Sequence, residues 1–218
     1  VRALVSGLVV QPGVEFGPMT VYHLPLERPF DLRSVMMRWP NLALEAHSTD
    51  YQKPAAYPRL AELGFAYQKV GPALTFAWRQ AIYALDQMLS FLHGSAPIVI
   101  PTMERIMLEN AGAWQSHYQG EPNAKFAQRH LALADRIRYY WPHPDAQAAV
   151  SALMTAMESQ TLNRSVSELF FPNSTLERAE LCGGLNAETL ITSSVEQSLE
   201  PYFFHSGSFA APTRERSA

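Results

Sequence analysis

Three short apolar runs, each passing into a polar or glycine-bearing loop and then into helical periodicity, organise the first part of the chain. The first is Ala3–Val10, leading into Gln11-Pro12-Gly13-Val14-Glu15. The second is Leu42–Ala46, leading into His47-Ser48-Thr49-Asp50, and the third is Phe65–Val70, leading into Gly71-Pro72. Between the first two, Leu32, Val35, Met36 and Trp39 recur at helical spacing. Between the second and third, Tyr57, Leu60, Ala61 and Leu63 do the same, with Gly64 as a helix stop. Leu74–Leu92 then reads as one long helix with an apolar stripe. Strands alternating with helices at this spacing predict a parallel sheet, because parallel neighbours need a helical crossover. A doubly wound open sheet and a (β/α)8 barrel both fit. The Gly-x-Gly-x-x-Gly fingerprint and the Walker phosphate loop are both absent, which weighs against a nucleotide-binding open sheet.

From about Gly94 the strands stop. Thr102–Glu109, Ala124–Tyr140, Asp145–Glu158, Val166–Phe170 and Ala187–Glu200 read as helices, punctuated by Pro97, Pro101, Pro122, Pro142, Pro144 and Pro172. Residues 206–218 are small and polar and are expected to be a disordered tail. The expected division is therefore 1–93 for the strand–helix units, 94–205 for a helical extension, and 206–218 for the tail.

Composition narrows the class. Of 218 residues, 47% are hydrophobic and 17% charged, the balance of a chain that buries a core. A net charge of -3 without a basic stripe lacks the electrostatic footprint of a nucleic-acid binder. Cys182 is the only cysteine, so no intrachain disulfide forms; it is read as a structural thiol in a cytoplasmic protein. No run of about 18 uncharged apolar residues predicts a membrane span. The chain opens inside a strand-like run without methionine, which is the look of part of a longer polypeptide.

In parallel α/β folds the functional groups collect in loops at the carboxyl ends of strands. Those loops hold Glu15, His47 and Asp50 as metal ligands or acid/base groups. Ser48, Thr49, Thr75 and the N–H groups near Gly71 are suited to phosphate oxygens at a helix N-terminus. Structural readings stand beside these. His47 is equally a hydrogen-bonded structural residue, Asp50 a helix cap, and Gly71-Pro72 the start of the long helix. In Trp114-Gln115-Ser116-His117-Tyr118, His117 can contact a sugar, although packing is the expected role. Asp135-Arg136-Ile137-Arg138-Tyr139-Tyr140-Trp141-Pro142 alternates cations and aromatics and is expected to dock against a barrel rather than stack bases. His23, His93, His130, His143 and His205 have no ligand spacing and are read as structural.

The segments Val9–Phe16, Glu45–Gln52 and Lys69–Ala77, followed by Trp114–Tyr118 and Asp135–Pro142, resemble the accessory-subunit family of class II D-tagatose-1,6-bisphosphate aldolases. The resemblance covers about positions 3–144. It implies a (β/α)8 barrel of class II aldolase type, of which this chain carries the last three βα units and a helical C-terminal extension. It implies a catalytic tagatose-bisphosphate aldolase subunit as partner, a ketose phosphate as ligand, and a place in galactitol or amino-galactose catabolism. Against the catalytic class II aldolases, His47 matches a zinc ligand, whereas Ser48 and Tyr51 replace phosphate-loop glycines and the Gln11–Glu15 loop has no histidine. A zinc-like divalent metal is therefore expected only in the complete protein, with His47 as ligand. The catalytic metal and phosphate sites of those enzymes transfer only at His47; from the strand-end residues, Glu15 and Asp50 are expected as catalytic groups and Gln11, Ser48, Thr49, Gly71 and Thr75 as substrate-binding residues. The leading expectation is a non-catalytic accessory subunit. A D-tagatose 6-phosphate 4-epimerase and a non-catalytic sugar-phosphate-binding protein are the alternatives.

Overall fold

A computed structural model describes residues 5–27 and 32–204. The three apolar runs form strands β1 (Gly7–Val10), β4 (Ala43–Ala46) and β5 (Phe65–Gln68), joined as one parallel sheet in the order β1-β4-β5. The start of the first run and the 206–218 tail lie outside the described residues. Between β1 and β4 the chain first makes a small antiparallel hairpin, β2 (Glu15–Phe16) and β3 (Val21–Tyr22). The Gly17 N–H closes its turn by donating to Thr20 O at 2.8 Å. The sequence reading did not anticipate this hairpin, since two-residue strands carry no alternation to detect. Helices α1 (Leu32–Met36) and α2 (Ala56–Glu62) complete the two crossovers.

The sheet is covered on one face. Leu44, Ala46 and Phe65 are buried with Ala56, Leu60 and Leu63, and Val14 and Leu24 close the same cluster. Residues one step along each strand point the other way, by the period-two alternation of strands. Val9 and Tyr67, both paired in register with Glu45, are 57% and 62% exposed. A bulge between Leu44 and Glu45, opposite Ala66, keeps Tyr67 on that open face.

The long predicted helix is α3 (Pro72–His93), with Pro72 in its first turn and Gly94 at φ 62° ending it. Around it pack α4 (Val99–Glu109), α5 (Pro122–Leu131), α6 (Pro144–Glu158), α7 (Arg164–Ser167), α8 (Asn173–Leu181) and α9 (Ala187–Leu199). Their shared core includes Leu85, Met88, Met103, Ile106, Leu153 and Leu190. Two expectations change here. α8, behind Pro172, was not expected, and the single helix expected over 124–140 is broken. Ala132 is extended at φ -64°, ψ 139°, and Asp135 is left-handed at φ 46°. Only a short 3-10 turn (Arg136–Tyr139) follows. A tertiary ion pair overrides local propensity: Arg79 Nε donates to Asp135 Oδ1 at 2.7 Å, and both residues are 1% exposed. Among the described residues, no helix is long and apolar enough to cross a membrane.

Candidate functional site

The parallel ladder fixes which loops meet. Val10, Ala46 and Gln68 are in register, and two bonds carry the pairing one step further. His47 N–H reaches Val10 O at 3.5 Å, and Lys69 N–H reaches Ala46 O at 3.0 Å. The loops beginning at Gln11, His47 and Lys69 therefore leave the same end of the sheet.

The loop after β4 is held by nearly every residue in it. Thr49 is fully buried; its Oγ1 donates to Lys69 O at 2.9 Å and lies 3.0 Å from the Tyr202 hydroxyl. Tyr57 O–H donates to Thr49 O at 3.2 Å. Asp50 Oδ1 accepts from Gly71 N–H at 2.8 Å and Ala73 N–H at 3.1 Å. Tyr51 O–H donates to Leu133 O at 2.7 Å, and its ring meets Phe16 and Phe76 edge-on. Buried Gln52 accepts from Leu24 N–H and donates to Tyr22 O, pinning the end of the hairpin. So many anchors allow Ser48 and Tyr51 to sit at φ 59° and 62°, a region L-residues seldom occupy. These are the two positions where the resemblance sets glycines. The loop keeps a glycine-like backbone while carrying side chains.

Over this loop lies a cleft of about 190 Å³. His47, Ser48, Asp50 and Gly71 line it, together with Lys69, Arg136 and Arg138. Burial raises the Asp50 pKa above the ordinary carboxylate value, opposed by the Gly71 and Ala73 hydrogen bonds and by the charge of Arg138. Arg136 Nε donates to Ala113 O, and Arg138 donates from Nη1 to Ala134 O and from Nη2 to Tyr139 Oη at 2.7 Å. A larger cavity of about 330 Å³, between α3, α9 and the segment around Phe171, has no ionisable side chain in its lining. Chemistry, not size, selects the cleft.

Four of the expected site residues thus share one cavity. The other four do not line it. Thr49 lies beneath, with its hydroxyl committed inside the fold. Thr75 Oγ1 donates to Pro72 O at 3.1 Å within the first turn of α3. Gln11 and Glu15 are exposed and bonded to each other at 2.9 Å. For a metal, His47 Nδ1 lies 3.7 Å from Glu45 Oε1 on the open sheet face, too long for a hydrogen bond. Among the described residues no group of three or more His, Cys, Asp or Glu side chains converges, so these residues alone do not make the three-ligand set zinc requires.

Sequence reasoning missed Lys69, Arg136, Arg138 and Glu45. Glu45 was legible as the i, i+2 neighbour of His47 on one strand face. The arginines were singled out with the 135–142 segment but expected to dock against a barrel rather than to line a cleft.

The family model described as D-tagatose-1,6-bisphosphate aldolase subunit GatZ/KbaZ-like matches residues 1–206. A D-tagatose 6-phosphate 4-epimerase of Agrobacterium fabrum is 39% identical over 206 residues, covering 93% of this chain and 48% of that protein. A D-tagatose-1,6-bisphosphate aldolase subunit GatZ of Klebsiella pneumoniae is 38% identical over 202 residues, covering 91% of this chain and 47% of that protein. A crystal structure described as a probable tagatose 6 phosphate kinase from Sinorhizobium meliloti 1021 matches with TM-score 0.85 and 38% identity, over 93% of this chain and 53% of that one. The chain spans about half the length of the curated relatives it matches. With a parallel α/β core and motifs that agree, the chain belongs to the GatZ/KbaZ-like family of D-tagatose-1,6-bisphosphate aldolase subunits.

Proposed function

We propose that this protein holds a ketose phosphate at the mouth of a (β/α)8 barrel and serves as the accessory subunit of a tagatose-1,6-bisphosphate aldolase. The observation that carries this reading is the cleft at the carboxyl ends of β4 and β5, where His47, Ser48, Asp50 and Gly71 meet three cations. Sequential parallel strands and one uncovered sheet face support β1, β4 and β5 as neighbouring staves of a barrel. Residues 1–93 would then form closing barrel units and 94–205 an extension that shapes the mouth. The setting is cytoplasmic galactitol or N-acetylgalactosamine catabolism, with the accessory role stabilising the catalytic subunit.

The same cleft favours a second reading, a D-tagatose 6-phosphate 4-epimerase. Asp50, whose pKa burial raises above the ordinary carboxylate value, lines this cleft with His47 and is the candidate for proton transfer. Glu15, on the neighbouring loop, is the further acid/base candidate. Incubating the full-length protein with D-tagatose 6-phosphate, with and without divalent metal, separates the two readings. The accessory reading expects no turnover alone and a longer-lived, more active aldolase on co-expression. Formation of fructose 6-phosphate without an aldolase partner would replace it with the epimerase.

A further inference from the structure

Resting on the ketose-phosphate reading, we infer that Lys69, Arg136 and Arg138 are the groups that hold the phosphate, and that the N-terminus of α3 does not. The helix end is already answered. Asp50 accepts both Gly71 N–H and Ala73 N–H, so the donors that a phosphate would use are satisfied by a carboxylate of the same charge sign. A phosphate there would displace Asp50 from a site where it is 1% exposed.

The cations have the opposite character. Neither arginine forms an ion pair with a carboxylate among the described residues, and Lys69 is exposed without a side-chain partner there. Both guanidinium groups are instead fixed by main-chain carbonyls and by the Tyr139 ring, at 5.4 Å for Arg136 and 4.4 Å for Arg138. These bonds orient the groups without neutralising them. A guanidinium has five N–H donors, so each arginine keeps donors free for an anion.

The arginines are also preorganised. They follow Asp135, whose left-handed backbone is locked by the buried ion pair to Arg79 on α3. Arg79 donates in addition to His130 O and lies 4.4 Å over the Phe76 ring. The helical part of the chain therefore carries two cations to a mouth built by the strands. That arrangement gives a chemical reason for the break at 132–135. The fitting ligand is a phosphate monoester of a small polyol or ketose, with its carbon chain directed toward His47 and Asp50.

The test is calorimetric titration of the full-length protein with D-tagatose 6-phosphate, inorganic phosphate and free D-tagatose. The variants are Lys69→Met, Arg138→Gln and Arg136→Gln, with Arg105→Gln as a control for loss of a cation elsewhere. Lys69→Met and the arginine variants are each expected to weaken both phosphate ligands about tenfold or more, the usual effect of losing a charge-assisted bond. Arg105→Gln should bind as wild type, and affinity for free tagatose should be unchanged throughout. Wild-type affinity in a folded Lys69→Met and Arg138→Gln protein would overturn the assignment while leaving the ketose-phosphate reading intact. Absence of tagatose 6-phosphate binding by the wild type would overturn both. The Lys69 side chain has no hydrogen-bond or ion-pair partner among the described residues, so its variant decides the matter even where an arginine variant is unstable.

Discussion

The Asp50 carboxylate accepts the Gly71 N–H at 2.8 Å across 21 residues of sequence, so the loop after β4 caps the helix that follows β5. The same oxygen also accepts the Ala73 N–H. Asp50→Ala leaves two donors of α3 without acceptors and is expected to cost about 1–3 kcal/mol in denaturant unfolding. Asp50→Asn keeps an acceptor oxygen and should cost about 1 kcal/mol or less. The pair of variants separates two roles. If Asp50 moves protons, Asn abolishes turnover in a protein of near-normal stability. A capping role alone predicts that Asn retains whatever activity the wild type shows.

Ser48 offers a second test, because its φ of 59° is one that side chains make costly. Ser48→Gly removes that strain but adds freedom to the unfolded chain, so the expected change lies between zero and about 1 kcal/mol of stabilisation. Ser48→Val should destabilise by about 2 kcal/mol or more, since a β-branched residue is a marked outlier there. A thermal unfolding series of wild type, Gly and Val checks the order. Equal stability of Val and Gly variants would mean that the loop relaxes to another conformation.

The strand–helix alternation was legible because each strand is a short apolar run bounded by loop residues. The grouping of His47, Ser48, Asp50 and Gly71 was legible because strand ends converge in parallel sheets. What sequence could not show depends on contacts between distant positions. Arg79 and Asp135 are 56 residues apart, and their pairing breaks a helix-like stretch before the 3-10 turn that bears Arg136 and Arg138. Thr49 looks like a phosphate ligand in isolation, yet Tyr202, 153 residues away, takes its hydroxyl. Asp50 was read both as a site residue and as a cap, and its carboxylate caps α3 while lining the cleft.

Buried His130 sets an acid limit on stability. Its Nδ1 is 2.7 Å from the Tyr83 hydroxyl and its Nε2 is 3.0 Å from Glu104 Oε2, with Arg129 also on that carboxylate. Burial lowers the His130 pKa below the ordinary 6.5, outweighing the opposite pull of Glu104, and nearby Arg129 and Arg79 add to the lowering. The unfolded histidine takes up a proton as pH falls through 6.5, whereas the folded one resists. The unfolded state thus binds more protons in that window, and stability falls as pH falls, by about 1.4 kcal/mol for each pKa unit of lowering. Burial raises the Glu104 pKa, but hydrogen bonds from Arg129 and His130 bring it below the ordinary value of 4.5, so its contribution is lost at still lower pH. Denaturant midpoints should therefore drop steadily from about pH 7 to 5, and less steeply in His130→Gln. Parallel profiles for wild type and variant would assign the acid sensitivity to other groups.

The open sheet face gives the most direct test of the barrel. Val9 and Tyr67 are 57% and 62% exposed on the face opposite the buried Leu44 and Phe65, with Glu45 between them in register. Left in water, such positions tolerate substitution within about 0.5 kcal/mol. If further barrel strands enclose this face, both side chains are interior. Val9→Gln and Tyr67→Gln would then lose packing and bury an unsatisfied amide, at about 2 kcal/mol or more each. Unfolding of the full-length protein should show the larger cost for both. The 218-residue chain on its own should instead self-associate through Val9 and Tyr67 on this face and through the outer edges of β1 and β5, which pair with no other strand among the described residues, and Tyr67→Gln should reduce that association in sedimentation. Costs below about 0.5 kcal/mol in the full-length protein would mean that the face is open to solvent there too, and the barrel proposal would fall.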